Sequence, residues 1–395
     1  MHGRDVGGLL PGWVEPFDAA RALAGEGHVA LLEATDGRGT STLVLGSELV
    51  DAWPEVPLDP AAGDRPLWAG WLDYEGGARF LRAERWMVFD HARREVRASG
   101  IDLCDLGDAA PEPVPVRRLA VVRWRHDDDT YLAMIEACKR SIERGDAYLL
   151  CLTNTARVGT ATDPWTAYAR LRSAAPTHHA GLLRLGGTTL VSASPERFLE
   201  IDAHGLVRSS PIKGTRRRDP DPLVDDALAE ELGADAKERA ENVMIVDLVR
   251  NDLSRIAVPG SVRVTRLLDV ERYATVHQLV STVEGRLRDG LGAGDAVRSL
   301  FPAGSMTGAP KRSAMAILRG LERAPRGVYS GAFGLVRADG SVDLAMVIRS
   351  IVFAPDGVTV GAGGGITALS EPAFELAEVR LKADRLLSVL DGPLG

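Results

Sequence analysis

Cysteine is scarce in this 395-residue chain: there are three, Cys104, Cys138 and Cys151, and no two stand in a CxxC spacing. So odd and sparse a set argues against a disulfide framework or a cysteine zinc site and fits a reducing compartment. Aromatic residues make up only 5% of the chain. No apolar run reaches the roughly 18 residues that a membrane helix needs. Met1-His2-Gly3-Arg4-Asp5 lacks a signal-peptide pattern, so a cytoplasmic protein with no membrane contact is expected. There is no long basic stripe and the formal net charge is -8, which argues against nucleic acid as a partner. A serine nucleophile elbow, an HExxH zinc site, a phosphate loop and a dinucleotide fingerprint are all missing.

What is present is an ordinary globular balance, 45% hydrophobic and 26% charged, with enough residues for a large core. Residues 28–100 read as short strands: His28 to Glu33, a turn at Asp36-Gly37-Arg38-Gly39, then Thr40 to Leu45, Trp68 to Tyr74 and Trp86 to Phe89. Gly107, Pro111, Pro113 and Pro115 interrupt any periodicity, which marks a linker over 107–117 and a boundary near 115. The boundary separates a strand-rich region, 1–115, from a main region, 116–395; the first is short enough to add its strands to the second region's sheet. Beyond the boundary, Asp128 or Asp129 is expected to cap a helix that runs to Arg144 and closes at Gly145. A further helix is expected near 164–174. Asp235 is expected to cap a long helix through about Ser254, and Ser370 a last one, with Pro372 in its first turn, ending near Leu390. Strands are expected at 147–153, 181–192, 332–337, 344–353 and 358–361. Strands and helices mix without regular βαβ alternation, so the fold class is α+β.

Several stretches carry chemistry, each with a plainer alternative. Pro211-Ile212-Lys213-Gly214-Thr215-Arg216 sets one lysine between a proline and a glycine, with Arg217 and Arg218 following. Read alone, Lys213 is either part of a solvated basic turn or, desolvated and crowded by those arginines, a nucleophile of lowered pKa. Glu238 and Glu241 are three apart on one expected helix; Glu375 and Glu378 are three apart on another, with Lys382 four further on. Two facing carboxylate pairs would suit Mg²⁺, whereas exposed faces would leave Glu378 and Lys382 an ordinary i,i+4 ion pair. The run Gly361-Ala362-Gly363-Gly364-Gly365 and the loop from Phe301 to Lys311 either offer bare N–H groups to an anion or form tight turns. Glu196, at the end of an apolar strand, is either an acid of raised pKa or the ion-pair partner of Arg197. Arg349, amid Val347 and Ile348, either pairs internally or grips a ligand carboxylate.

Residues from about 120 to 390 resemble the chorismate-utilising enzymes, the family of anthranilate synthase component I, aminodeoxychorismate synthase component I, isochorismate synthase and salicylate synthase. The resemblance rests on stretches in the family's order. They are Ser194-Pro195-Glu196-Arg197-Phe198, the Lys213 stretch, Arg239-Ala240-Glu241-Asn242 through Leu253, Phe301 through Lys311, Ile348-Arg349-Ser350, Gly363-Gly364-Gly365-Ile366 and the helix of Glu375, Glu378 and Lys382. Leu31-Leu32-Glu33 and Gly70-Trp71-Leu72-Asp73-Tyr74-Glu75 resemble the family's N-terminal counterparts loosely. The resemblance implies large mixed, mostly antiparallel β-sheets packed as a sandwich with helices outside.

It also implies roles. The anthranilate and isochorismate branches usually carry alanine where this chain has Lys213, and lysine marks the aminodeoxychorismate branch. There the lysine would attack C2 of chorismate and expel the 4-hydroxyl, with Glu196 as general acid, before ammonia adds at C4. Glu238, Glu241, Glu375 and Glu378 would surround Mg²⁺, with the backbone of Gly214 and Thr215 and the Lys382 side chain assisting. Tyr329, Arg349 and Gly365 would hold the enolpyruvyl carboxylate, with Gly363 in the same glycine run and Ser305 supplying a hydroxyl. Leu149 stands where isochorismate synthases hold a water-activating lysine, which disfavours water addition; Gln278, beside His277, replaces a family histidine. The implied product is 4-amino-4-deoxychorismate, for p-aminobenzoate and folate. The implied ammonia source is a class I glutamine amidotransferase subunit (component II), since no cysteine here lies in a Gly-rich nucleophile turn. The rival readings are anthranilate synthase component I, against which Lys213 stands, and a catalytically weak subunit that mainly binds its amidotransferase, to which only Leu149 points.

Overall fold

The computed structural model describes residues 7–25, 27–106, 121–273 and 276–390; the linker over 107–117 and the boundary near 115 lie outside them. A sheet of 12 strands and a sheet of 10 strands carry the fold. Every strand pairing among the described residues is antiparallel. N-terminal strands sit inside both sheets: His28–Glu33 pairs with His179–Leu185, and Pro66–Leu72 pairs with Ala332–Arg337.

The sheets face each other. Ala30, Val44, Leu183 and Leu190 of the larger sheet share one buried cluster with Ala69, Trp71, Phe333 and Leu335 of the smaller. Each large apolar side chain fully buried there contributes roughly 1.5–3 kcal/mol. Val29 and Leu31, on the opposite face from Ala30, join a second cluster with the outer helices. Both faces of this strand are covered, which is why its sequence is nearly continuous in apolar residues rather than alternating. The helices Asp128–Glu143, Pro164–Ala174 and Pro372–Leu390 pack on that outer face through Tyr131, Ile135, Tyr168, Leu171, Val379 and Leu386. Ala236–Ser254 packs on the smaller sheet through Ile245, Val249 and Leu253, against Leu199, Val207 and Val283.

Local signals set the helix starts. Asp235 accepts from the N–H groups of Lys237 and Glu238, both at 3.0 Å. The first of the helices beyond the boundary is capped by Asp127, one residue before the expected position, through a 2.9 Å bond from the Thr130 N–H. Ser370 does not accept from a first-turn N–H of the last helix: its hydroxyl accepts from the Thr367 N–H at 3.1 Å and donates to the Glu375 side chain at 2.6 Å. The strand expected over 344–353 is two strands in different sheets. Val342–Met346 belongs to the smaller and Ser350–Ala354 to the larger, and the chain crosses between them at Arg349, whose φ is +52°. The glycine run is strand rather than turn, since Gly357–Ile366 continues straight through it.

Candidate active site

A cavity of about 780 Å³ opens between the strands Ile212–Arg217 and Gly357–Ile366 and the helices Ala236–Ser254 and Pro372–Leu390. Lys213, Gly214, Thr215, Glu196, Ser305, Tyr329, Arg349, Gly363, Gly365, Glu238, Glu241, Glu375, Glu378 and Lys382 all line it.

A β-bulge places the lysine. Lys213 lies opposite Leu279 and Thr215 opposite Gln278, so Gly214 is the extra residue. Its φ is +78°, and a Cβ there would stand 2.7 Å from Leu232 Cδ1, so glycine is required on both counts. Lys213 Nζ lies 3.3 Å from Glu241 Oε2, with the side chain 14% exposed. Two of the following arginines are held by carboxylates of their own. Arg216 pairs with Glu231 at 3.0 Å and Asp235 at 2.9 Å, and Arg218 pairs with Asp225 at 2.8 Å. Burial pushes the lysine's pKa down, but the carboxylates, Glu241 first and Glu196 with it, outweigh burial and hold it above its ordinary value. The lowered pKa expected from neighbouring cations is therefore reversed: the neighbours that matter are anions, and the resting side chain is an ammonium.

Glu196 is not the partner of Arg197, which pairs with Asp343 and Glu200, both at 3.1 Å. Glu196 is buried, and burial pushes its pKa up to about 7, although hydrogen bonds from Ser305 and from the Ile212 N–H and the charge of Lys213 pull the other way. The same cavity thus holds a lysine that keeps its proton and a carboxyl close to half-protonated at neutral pH.

The four glutamates face one another across the cavity with lysines between them. Lys237 Nζ lies 2.9 Å from Glu375 and 4.0 Å from Glu241, and Lys382 Nζ lies 2.6 Å from Glu378 and 2.9 Å from the Gly363 carbonyl. Glu238 has no such partner; burial and the charge of Glu241 raise its pKa. Burial alone would raise Glu378, but Lys382 holds it below the usual carboxylate range. Among the described residues, no three carboxylate, imidazole or thiol side chains converge closely enough to hold a metal ion. The uncompensated charge at Glu238 and the all-oxygen donor set nevertheless have the chemistry of a hard divalent cation.

The opposite wall carries an unpaired strand edge and a guanidinium. The strand Gly357–Ile366 pairs with Ser350–Ala354 only as far as Val360; beyond that it pairs on one side only, with Leu149–Gly159, and its other edge runs along the cavity. A Cβ on Gly361 would stand 2.2 Å from the Tyr329 ring, so only glycine admits that ring. Arg349 is half-buried and makes no ion pair or side-chain hydrogen bond among the described residues. Burial lowers its pKa, and the charge of Arg385 adds to the effect. Leu149 is fully buried, with its Cδ1 3.1 Å from where a Gly365 Cβ would stand, so no polar side chain comes from that position. Gln278 lines the cavity, whereas His277 turns away and bonds Asp225 at 2.8 Å.

Lys237 and Arg385 line the cavity but do not stand out in the motifs. Lys237 reads as an ordinary helix-start cation. Arg385 follows Lys382 by three residues, the same helix-face spacing that singled out the glutamates. Burial raises the thiol of Cys138 to about 12 and also raises that of Cys151, so neither is an activated thiolate.

Residues 15–388 match the family described as chorismate binding enzyme. The chain belongs to that family. It is 43% identical over 374 residues to an aminodeoxychorismate synthase from Streptomyces griseus, an alignment that covers 86% of this chain and 51% of the relative. It is 40% identical over 356 residues to anthranilate synthase component 1 from Streptomyces coelicolor, covering 83% of this chain and 70% of that one. The chain spans about half the length of the two Streptomyces aminodeoxychorismate synthases it matches. Among solved structures, anthranilate synthase component I from Streptococcus pneumoniae TIGR4 superposes with a TM-score of 0.73 at 25% identity, covering 96% of this chain and 92% of that one. No helix among the described residues is long and apolar enough to cross a membrane.

Proposed function

We propose that this chorismate-binding protein aminates chorismate at C4 to give 4-amino-4-deoxychorismate, with Lys213 as a transient covalent nucleophile. The observation that carries the reading is a lysine, only 14% exposed, that shares its cavity with a carboxyl whose pKa is about 7. Lys213 Nζ, once deprotonated, forms a bond to C2 of the substrate ring. The ring double bonds shift, the C4–O bond breaks, and Glu196 gives the departing hydroxyl its proton, so that water leaves. Ammonia then bonds to C4, the double bonds shift back, and the C2–N bond breaks to release the lysine. Ammonia's surplus proton returns to the Glu196 carboxylate, which restores the acid. Covalent attachment divides one difficult displacement into two easier ones.

Glu238, Glu241, Glu375 and Glu378 are the groups that would hold Mg²⁺, which would bind the ring carboxylate and screen its charge. Arg349, Tyr329 and the free edge of the glycine strand would hold the enolpyruvyl carboxylate, with Gly214, Thr215, Ser305 and Lys382 lining the remainder. A class I glutamine amidotransferase would supply ammonia, and the product would serve p-aminobenzoate and folate synthesis. The 40% identity to an anthranilate synthase, over more of that relative's length, keeps one rival in view: ammonia at C2 with loss of pyruvate.

The test is product identity. The purified chain is incubated with chorismate, Mg²⁺ and ammonium, with and without a lyase that converts aminodeoxychorismate to p-aminobenzoate. p-Aminobenzoate only when the lyase is present supports the proposal, and fluorescent anthranilate without the lyase defeats it.

A further inference from the structure

The last helix brings a second unpaired guanidinium to the cavity that Arg349 lines. Arg385 lies seven residues beyond Glu378 and three beyond Lys382, and all three line the cavity. Like Arg349, it has no ion pair and no side-chain hydrogen bond among the described residues. Three acidic side chains of the cavity are engaged elsewhere: Lys382 holds Glu378, Lys237 and Ser370 hold Glu375, and Glu241 lies on Lys213, which leaves Glu238, on the metal side, as the one of the four glutamates without a lysine. Among the described residues, no carboxylate forms an ion pair with either Arg349 or Arg385. Exposed Leu369, Phe374 and Leu381 also line the cavity and thin the water around its mouth. Two like charges within electrostatic reach repel while the cavity holds no anion, and a carboxylate between them converts that repulsion into two attractions.

We infer that Arg385 is a positioning residue that joins Arg349 in a two-guanidinium clamp on the substrate carboxylate farther from the glutamates. The inference rests on the cavity being the chorismate site. The clamp acts on binding, because the carboxylate keeps its charge throughout the reaction and the contact is equally strong before and during chemistry. Arg385 is exposed, so its replacement leaves the core intact.

The experiment compares wild type, Arg385→Gln and Arg385→Lys in two ways: calorimetric binding of chorismate with Mg²⁺ but no ammonia, and steady-state turnover with ammonium. Arg385→Gln should raise both the chorismate Kd and KM by about tenfold, the loss expected for one charge-assisted contact. Its kcat should stay within about twofold of wild type, Arg385→Lys should recover part of the affinity, and added salt should weaken kcat/KM less in Arg385→Gln than in wild type. Unchanged Kd and KM in Arg385→Gln, or a fall in kcat with KM intact, would overturn the clamp. Tight chorismate binding with a product other than aminodeoxychorismate would defeat the proposed reaction and leave the clamp standing. A wild-type chain that does not bind chorismate would end both.

Discussion

Lys213 and Glu196 share a proton problem. Nucleophilic attack needs the lysine neutral and leaving-group protonation needs the glutamic acid protonated, yet the lysine's pKa is raised and that of Glu196 is about 7. The productive form carries one proton on the weaker base. Below pH 7 both groups are protonated; between about 7 and the lysine's raised pKa, one proton remains and spends a small, constant fraction of its time on Glu196. We therefore expect kcat/KM to rise with pH through about 7 and then level off, with no fall until the lysine itself titrates. Glu196→Gln should lower kcat/KM by about 10²–10⁴-fold and remove the limb near 7. Initial rates from about pH 5.5 to 9.5 read both, and a limb near 7 that survives in Glu196→Gln would assign it to another group.

At the scale of elements, the bulge at Gly214 and the cap at Asp235 bring the lysine strand and the glutamate helix together. Asp235 caps the helix of Glu238 and Glu241 and also holds Arg216 of the lysine strand at 2.9 Å. Gly214→Ala would meet a left-handed φ and a contact with Leu232, and should destabilise the fold by about 1–3 kcal/mol while displacing Lys213. Urea unfolding checks the first effect and turnover the second; an unchanged midpoint would mean that the strand tolerates a side chain in the bulge. The Asp235 cap was legible because capping is local: a short acceptor stands just before a helical pattern. The break in 344–353 was not, because both halves are apolar and buried, and only their sheet partners differ. The glycine run reads as a loop by propensity, yet pairing with Leu149–Gly159 and the approach of Tyr329 make it strand. Ser370 passes for a cap by position, but the buried Glu375 carboxylate draws its hydroxyl. The cavity's carboxylates were legible as helix-face pairs, whereas their lysine partners depend on how the helices meet.

At the scale of the molecule, the cavity depends on two sheets that each use strands from both ends of the chain. Removing residues 7–106 would strip Leu31 from beside Leu182 and Trp71 from beside Phe333, and open the buried face between the sheets. A fragment of residues 121–395 should therefore aggregate or unfold without cooperativity, as read by circular dichroism and size-exclusion chromatography; a monomeric fragment with a sharp transition would mean that the main region folds alone. In the whole chain, the same sandwich holds Lys213 in a cavity where its neighbours are carboxylates rather than arginines, and the proposed chemistry turns on that single amine. Lys213→Ala removes it while leaving Gly214, the bulge and the glutamates in place. With chorismate, Mg²⁺, ammonium and the coupling lyase, this variant should form p-aminobenzoate about a thousandfold more slowly than wild type or worse, with chorismate binding retained. p-Aminobenzoate formed at the wild-type rate would contradict covalent catalysis by Lys213.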